Sequence, residues 1–100
     1  MEIIYEYHDV ESSDRLEAFT KEKLDVIKER YDFVIRADVF FRTENTSSDE
    51  TGKKCSIRLS APGPRLFAES SHDNFTDAIS ETVDELIRQL KKRKEKMKTY

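Results

Sequence analysis

Few side chains in this chain have the type and spacing that chemistry requires. The two histidines, His8 and His72, fall in separate connections and lack the i, i+4 helical spacing of a metal pair. His72 beside Asp73 has the form of a base with its orienting carboxylate, but no serine or cysteine motif supplies a nucleophile. Cys55 is the only cysteine, so no intrachain disulfide or cysteine-based zinc site can form. It sits in an alternating strand pattern, which suits a small buried residue. Gly52 and Gly63 are the only glycines, too few for a phosphate-cradling loop. No catalytic residue, metal or cofactor is expected, and the chain does not read as an enzyme.

What remains is charge. From residue 88 onward come Arg88, Lys91, Lys92, Arg93, Lys94, Lys96 and Lys98 against the single acid Glu95, on a chain whose formal net charge is −3. Residues 1–50 hold 14 acidic and 7 basic side chains, whereas residues 51–100 hold 7 and 11. Such asymmetry suits a surface that meets a polyanion at one end and solvent at the other. Arg88, Lys91, Lys92 and Glu95 share one solvent-facing strip by helical spacing, a physically reasonable track for phosphates whose binding would weaken with salt. The same cations could instead complement the dipole of a fraying helix end. Phe40 and Phe67 fall out of phase with the apolar strand faces, where they could stack a base or partner, or only cover a sheet edge.

These residues need elements to hold them. One hundred residues fit one domain with a modest core. The charged fraction is 39%, yet the apolar residues are patterned, which argues for a folded chain. Residues 2–7 read as a strand with Ile3, Tyr5 and Tyr7 on one face. Ser13 is an N-cap for a helix Asp14–Arg30, with Leu16, Phe19, Leu24, Ile27 and Tyr31 as its apolar stripe and Glu17 to Lys21 as an ion pair. Residues 33–42 alternate, with Phe33, Ile35, Ala37, Val39 and Phe41 inward. A polar loop over 44–52 leads to a second alternating strand carrying Cys55, Ile57, Leu59 and Ala61 inward. Pro62, Gly63 and Pro64 force a reversal, 66–69 forms a short last strand, and 71–100 reads as a helix running into a basic tail. Phe75, Ala78, Ile79, Thr82, Val83, Leu86, Leu90 and Met97 form its stripe, with Ser71 and Asp73 as caps. The fold expected is α+β, in the order β-α-β-β-β-α, a four-stranded sheet with both helices on one face. The opposite face, with Arg36, Arg42, Lys54 and Arg58, is left open. No signal-peptide or membrane-spanning run is present, so a soluble protein of a reducing compartment is expected.

The run Phe67, Ala68, Glu69, then Asp73, Asn74, Phe75, Thr76, Asp77, Ala78, Ile79, and on through Val83, Asp84, Glu85, Leu86, Ile87, Arg88, Gln89, Leu90, Lys91 and Lys92 resembles the C-terminal half of the ribosome hibernation promoting factor family. That family includes the ribosome-associated inhibitor, or ribosomal subunit interface protein. Ser13, Leu16, Phe19, Lys23, Leu24, Tyr31 and Asp32 resemble its first helix, so the likeness covers essentially the whole chain. The resemblance implies a cytoplasmic, non-enzymatic translation factor, monomeric when free and needing no cofactor. Its partner would be the small ribosomal subunit, 16S rRNA and ribosomal proteins, in the channel for messenger and transfer RNA, where it blocks translation in stationary phase or stress. Residues 1–100 would be a single ribosome-binding domain of the short form, with a basic tail at about 93–100, unable to pair ribosomes by itself. Carried over position by position, the rRNA-binding residues implied are Lys23, Arg88, Lys91 and Lys92. The chain departs from the family pattern at Glu17, where arginine is common, at Glu85, where lysine is common, and at Tyr7, where glycine is common. Two rivals stand beside this reading: a protein interaction module using the acidic first half, and a general double-stranded RNA-binding domain.

Overall fold

The computed structural model describes residues 1–44 and 52–97. Its elements are β1 (Glu2–His8), α1 (Asp14–Arg30), β2 (Arg36–Thr43), β3 (Lys53–Ser60), β4 (Leu66–His72) and α2 (Phe75–Met97), the order expected from the sequence. The strands lie in the order β1-β2-β3-β4, with β1 parallel to β2 and the two later pairs antiparallel. Strands β1, β2 and β4 therefore point the same way. The helices that follow β1 and β4 run parallel to each other across one face of the sheet. One groove accordingly touches Ser13 and Arg15 together with Asn74 and Phe75, and another touches Arg30 and Tyr31 together with Lys91 and Lys94.

Strand alternation fills the space between sheet and helices. Ala37, Val39 and Phe41 of β2 and Cys55, Ile57 and Leu59 of β3 are fully buried against Leu24 and Ile27 of α1 and Ile79, Leu86 and Leu90 of α2. Each such aliphatic side chain contributes about 1.5–3 kcal/mol by leaving water. The ring of Phe41 lies 6.4 Å from Tyr5, 5.3 Å from Tyr7 and 5.7 Å from Phe75, tying β1, β2 and α2 together. Two buried threonines satisfy their hydroxyls within this core. Thr20 donates to the Leu16 carbonyl at 2.7 Å, and Thr82 donates to the Cys55 carbonyl at 3.2 Å.

Several boundaries differ from the sequence pattern, each for a local reason. Strand β2 starts at Arg36, because the chain is still turning at Tyr31–Val34, where the Val34 amide donates to the Tyr31 carbonyl. Val34 is consequently buried and Ile35 is 64% exposed, opposite to the alternation expected there. Strand β4 continues to His72, since its pairing with β3 extends to Lys53. Helix α2 therefore begins later, at Phe75, and Asn74 caps it in place of Ser71 or Asp73: its Oδ1 accepts from the Asp77 amide at 2.8 Å. Asn74→Ala is expected to cost about 1 kcal/mol, lowering Tm by about 4–8 °C. Asp73→Ala should cost less in the same thermal melt, and the reverse ranking would contradict this capping.

Helix α2 reaches Met97, about 35 Å at 1.5 Å per residue, whereas seven- or eight-residue strands span only about 25 Å. Its last turns outrun the sheet, so Met97 is exposed and the apolar stripe ends at Leu90. On α1, Lys21 pairs with Asp25 at 2.9 Å, not with Glu17. The loop expected over 44–52 falls mostly outside the described residues.

Burial pushes the Cys55 thiol up to about 12, partly opposed by its hydrogen bond with Thr82. A raised pKa favours the protonated, folded form, so this contribution is full below about pH 9 and fades as pH rises through about 12. Between those limits the chain is expected to lose roughly 2–3 kcal/mol by about pH 11 from this group. Urea unfolding of the wild type and Cys55→Ala at pH 8 and pH 11 checks this. Parallel losses in the two proteins would exclude the thiol as the cause.

Candidate nucleic-acid interface

Helix α2 buries Ala78, Ile79, Thr82, Val83, Leu86 and Leu90 on one arc, which leaves the opposite arc to polar residues. On that arc Arg88, Lys91 and Lys92 line a shared groove of about 340 Å³ with Glu85, Gln89 and Glu95. Lys91 and Lys92 are exposed and form no ion pair among the described residues. The Arg88 guanidinium meets Glu85 at 2.9 Å with 67% of its side chain exposed. An exposed pair of this kind is worth at most about 1 kcal/mol, so a phosphate can displace the carboxylate at little cost.

Lys23 is not part of this cluster. It projects from α1 with its ammonium 5.5 Å from the Phe19 ring centroid. Arg93 is turned away from the groove, and its guanidinium donates to the Pro62 carbonyl at 2.9 Å and the Pro64 carbonyl at 2.7 Å. Gly63 between them has φ +94°, and a Cβ there would lie 3.2 Å from the Arg93 Nη1. The residues from 93 to 97 are thus helix, and the first of them clamps the β3–β4 turn.

The sheet face away from the helices carries Arg36, Arg42, Lys54 and Arg58 as expected, with acids among them. Asp38, nearly buried, accepts from Arg36 at 2.8 Å and approaches Arg58 at 3.5 Å. Lys54 lies 3.2 Å from both Glu44 and Glu69, and those carboxylates raise its pKa. Three of the four cations on this face are thereby matched by acids. Phe67 is 49% exposed here, and Phe40 carries the Arg58 guanidinium 5.8 Å above its ring. The sheet face is close to electrically balanced, whereas on α2 Lys91 and Lys92 have no ion pair among the described residues.

The histidine arrangement suggested by the sequence does not form. His72 bonds through Nε2 to Glu81 of α2, whose pKa is lowered first by that hydrogen bond. Among the described residues no group of three or more His, Cys, Asp or Glu side chains is placed to hold a metal ion. None of their helices is long and apolar enough to cross a membrane.

Residues 3–98 match the family model for Ribosomal S30AE, described as Sigma 54 modulation protein / S30EA ribosomal protein. The chain belongs to this family. It is 30% identical over 90 residues to a ribosome hibernation promoting factor of Pseudomonas putida, covering 90% of this chain and 83% of the relative. Among solved structures it is similar to a ribosomal subunit interface protein from Coxiella burnetii, with TM-score 0.80, 22% identity and coverage of 94% of this chain and 98% of the other. It also resembles the N-terminal domain of Protein Y from Thermus thermophilus, with TM-score 0.73, 20% identity and coverage of 92% and 98%. These two likenesses concern the fold.

Tyr7 and Glu17, the two positions where the resemblance implied a departure from the family pattern on β1 and α1, are partners. The Tyr7 hydroxyl donates to Glu17 Oε2 at 2.6 Å, and burial followed by this bond raises the Tyr7 pKa. Glu17 therefore faces β1 and is engaged there. What the sequence pattern does not reveal is Arg30: the last turn of α1 meets Lys91 and Lys94 only because the helices run parallel. The basic pair Lys28 and Arg30 at the end of α1 is the one local signal for it.

Proposed function

We propose that this S30AE protein is a non-enzymatic hibernation factor that occupies the messenger and transfer RNA channel of the small ribosomal subunit and halts translation in stationary phase or stress. The observation that carries the reading is the cationic arc of α2, where Arg88, Lys91 and Lys92 share one groove and the two lysines form no ion pair among the described residues. Family membership supplies the ribosomal context, and the hibernation promoting factor among its relatives supplies the class of activity. The described body measures 48 × 25 × 18 Å along its principal axes, a wedge that would exclude other RNA by shape. Phosphates would be met by α2 and not read for sequence. Free in the cytoplasm it would be a monomer, and Lys23 would be a secondary contact from α1.

The test is sedimentation of purified ribosomes with and without the protein, together with translation in a reconstituted extract. Co-sedimentation with small subunits and falling translation are expected, and transfer RNA should compete with the protein. Binding confined to large subunits, or undisturbed by excess transfer RNA, would contradict the proposal. The rival interaction module predicts salt-insensitive capture of a protein partner.

A further inference from the structure

We infer that the RNA backbone crosses from α2 onto α1 at the far end of the parallel helices, where Arg30 and Lys91 together hold a phosphate. This inference rests on reading α2 as an RNA-facing surface, and it names a ligand on α1 other than Lys23. Arg30, Tyr31, Lys91, Lys94 and Glu95 line a groove of about 250 Å³ between the two helices. Lys91 also lines the groove of Arg88 and Lys92, so the two hollows lie side by side, with Lys91 and Glu95 common to both. Arg30 and Lys91 are exposed, and neither forms an ion pair among the described residues. Three cations face the single carboxylate of Glu95.

The end of a helix ordinarily repels anions, because its last carbonyls carry partial negative charge. Here that charge is covered. Lys94 places its ammonium 3.4 Å from the Arg30 carbonyl oxygen and 5.6 Å from the Tyr31 ring centroid. In the turn just past the helix, Lys28 donates to the Asp32 carbonyl at 3.0 Å and to the Val34 carbonyl at 3.4 Å. With those two lysines committed to the end of α1, the guanidinium of Arg30 and the ammonium of Lys91 are left for a ligand. A planar guanidinium fork matches two phosphate oxygens, which a lysine cannot do. Lys23 lies seven residues back along α1, about 10 Å, and lines neither groove.

The test uses the full chain and purified small ribosomal subunits, with affinity measured across a salt series. Arg30→Gln is expected to weaken binding about fivefold at fixed salt and to reduce the magnitude of the log–log salt slope by about 0.7–0.9, the signature of one lost phosphate contact. Arg15→Gln removes the same charge elsewhere on α1, outside both grooves, and should leave the slope unchanged. Equal melting temperatures exclude a folding effect. If Arg30→Gln keeps the wild-type slope while reversal of the α2 cations still abolishes binding, the crossing to α1 is wrong and the α2 reading stands. Salt-insensitive binding by the wild type would overturn both.

Discussion

Replacing Arg88, Lys91 and Lys92 together by glutamate is expected to abolish co-sedimentation with small ribosomal subunits without unfolding the protein. The substitutions turn three cations in one groove into three acids beside Glu85 and Glu95. Each lost phosphate contact forfeits its counterion release, and each new carboxylate repels the backbone, so affinity should fall about a thousandfold or more. Little stability is at stake, because the three side chains lie opposite the buried stripe of α2 and only Arg88 has an ion pair, an exposed one. Circular dichroism and a thermal melt close to wild type would accompany the loss. A variant that still sediments with small subunits would remove α2 from the binding surface.

Stability should suffer most from Phe41→Ala. Phe41 is fully buried and touches the rings of Tyr5, Tyr7 and Phe75, so its removal opens a cavity shared by three elements. A loss of about 3–5 kcal/mol follows, a large part of the roughly 5–15 kcal/mol typical of a domain. Phe67→Ala provides the contrast. That ring is 49% exposed on the opposite sheet face and should change stability by no more than about 0.5 kcal/mol. Urea unfolding of both variants measures the difference, and similar losses would mean that the two faces are not as unequal as their burial indicates.

Period and punctuation made much of this architecture legible in the sequence. The strict alternation of Ala37, Val39 and Phe41, and of Cys55, Ile57 and Leu59, corresponds to the buried sheet face, and Ser13 caps α1 at Asp14 as its position suggests. Where the pattern misleads, nonlocal structure decides the matter. Asn74 displaces Ser71 as the cap because Ser71 is held in β4, opposite Lys54, and its hydroxyl accepts from the Gly52 amide at 2.9 Å. Met97 continues the helical period but lies beyond the sheet that would have covered it.

The same limit applies to the charged residues. Linear spacing identifies Arg88, Lys91 and Lys92 as neighbours, since three- and four-residue steps share a helix face. It cannot reveal that Arg93 clamps the Pro62 and Pro64 carbonyls, or that Lys54 lies between Glu44 and Glu69. Nor can it place Arg30 beside Lys91, which are far apart in the chain and meet only through the parallel helices. The family resemblance makes Glu17 a reversed charge on a binding face, and its bond to Tyr7 gives it another role. Local periodicity therefore finds the cations, and the packing of distant elements determines which of them remain available.

If phosphate contacts on α2 dominate the affinity for the small ribosomal subunit, salt must weaken that affinity in proportion to their number. The decisive experiment is to measure binding of the wild-type chain to purified small subunits between about 50 and 200 mM salt. Three or four phosphate contacts predict a straight log–log plot with a slope of about −2 to −4. A flat plot with undiminished affinity would contradict that dominance.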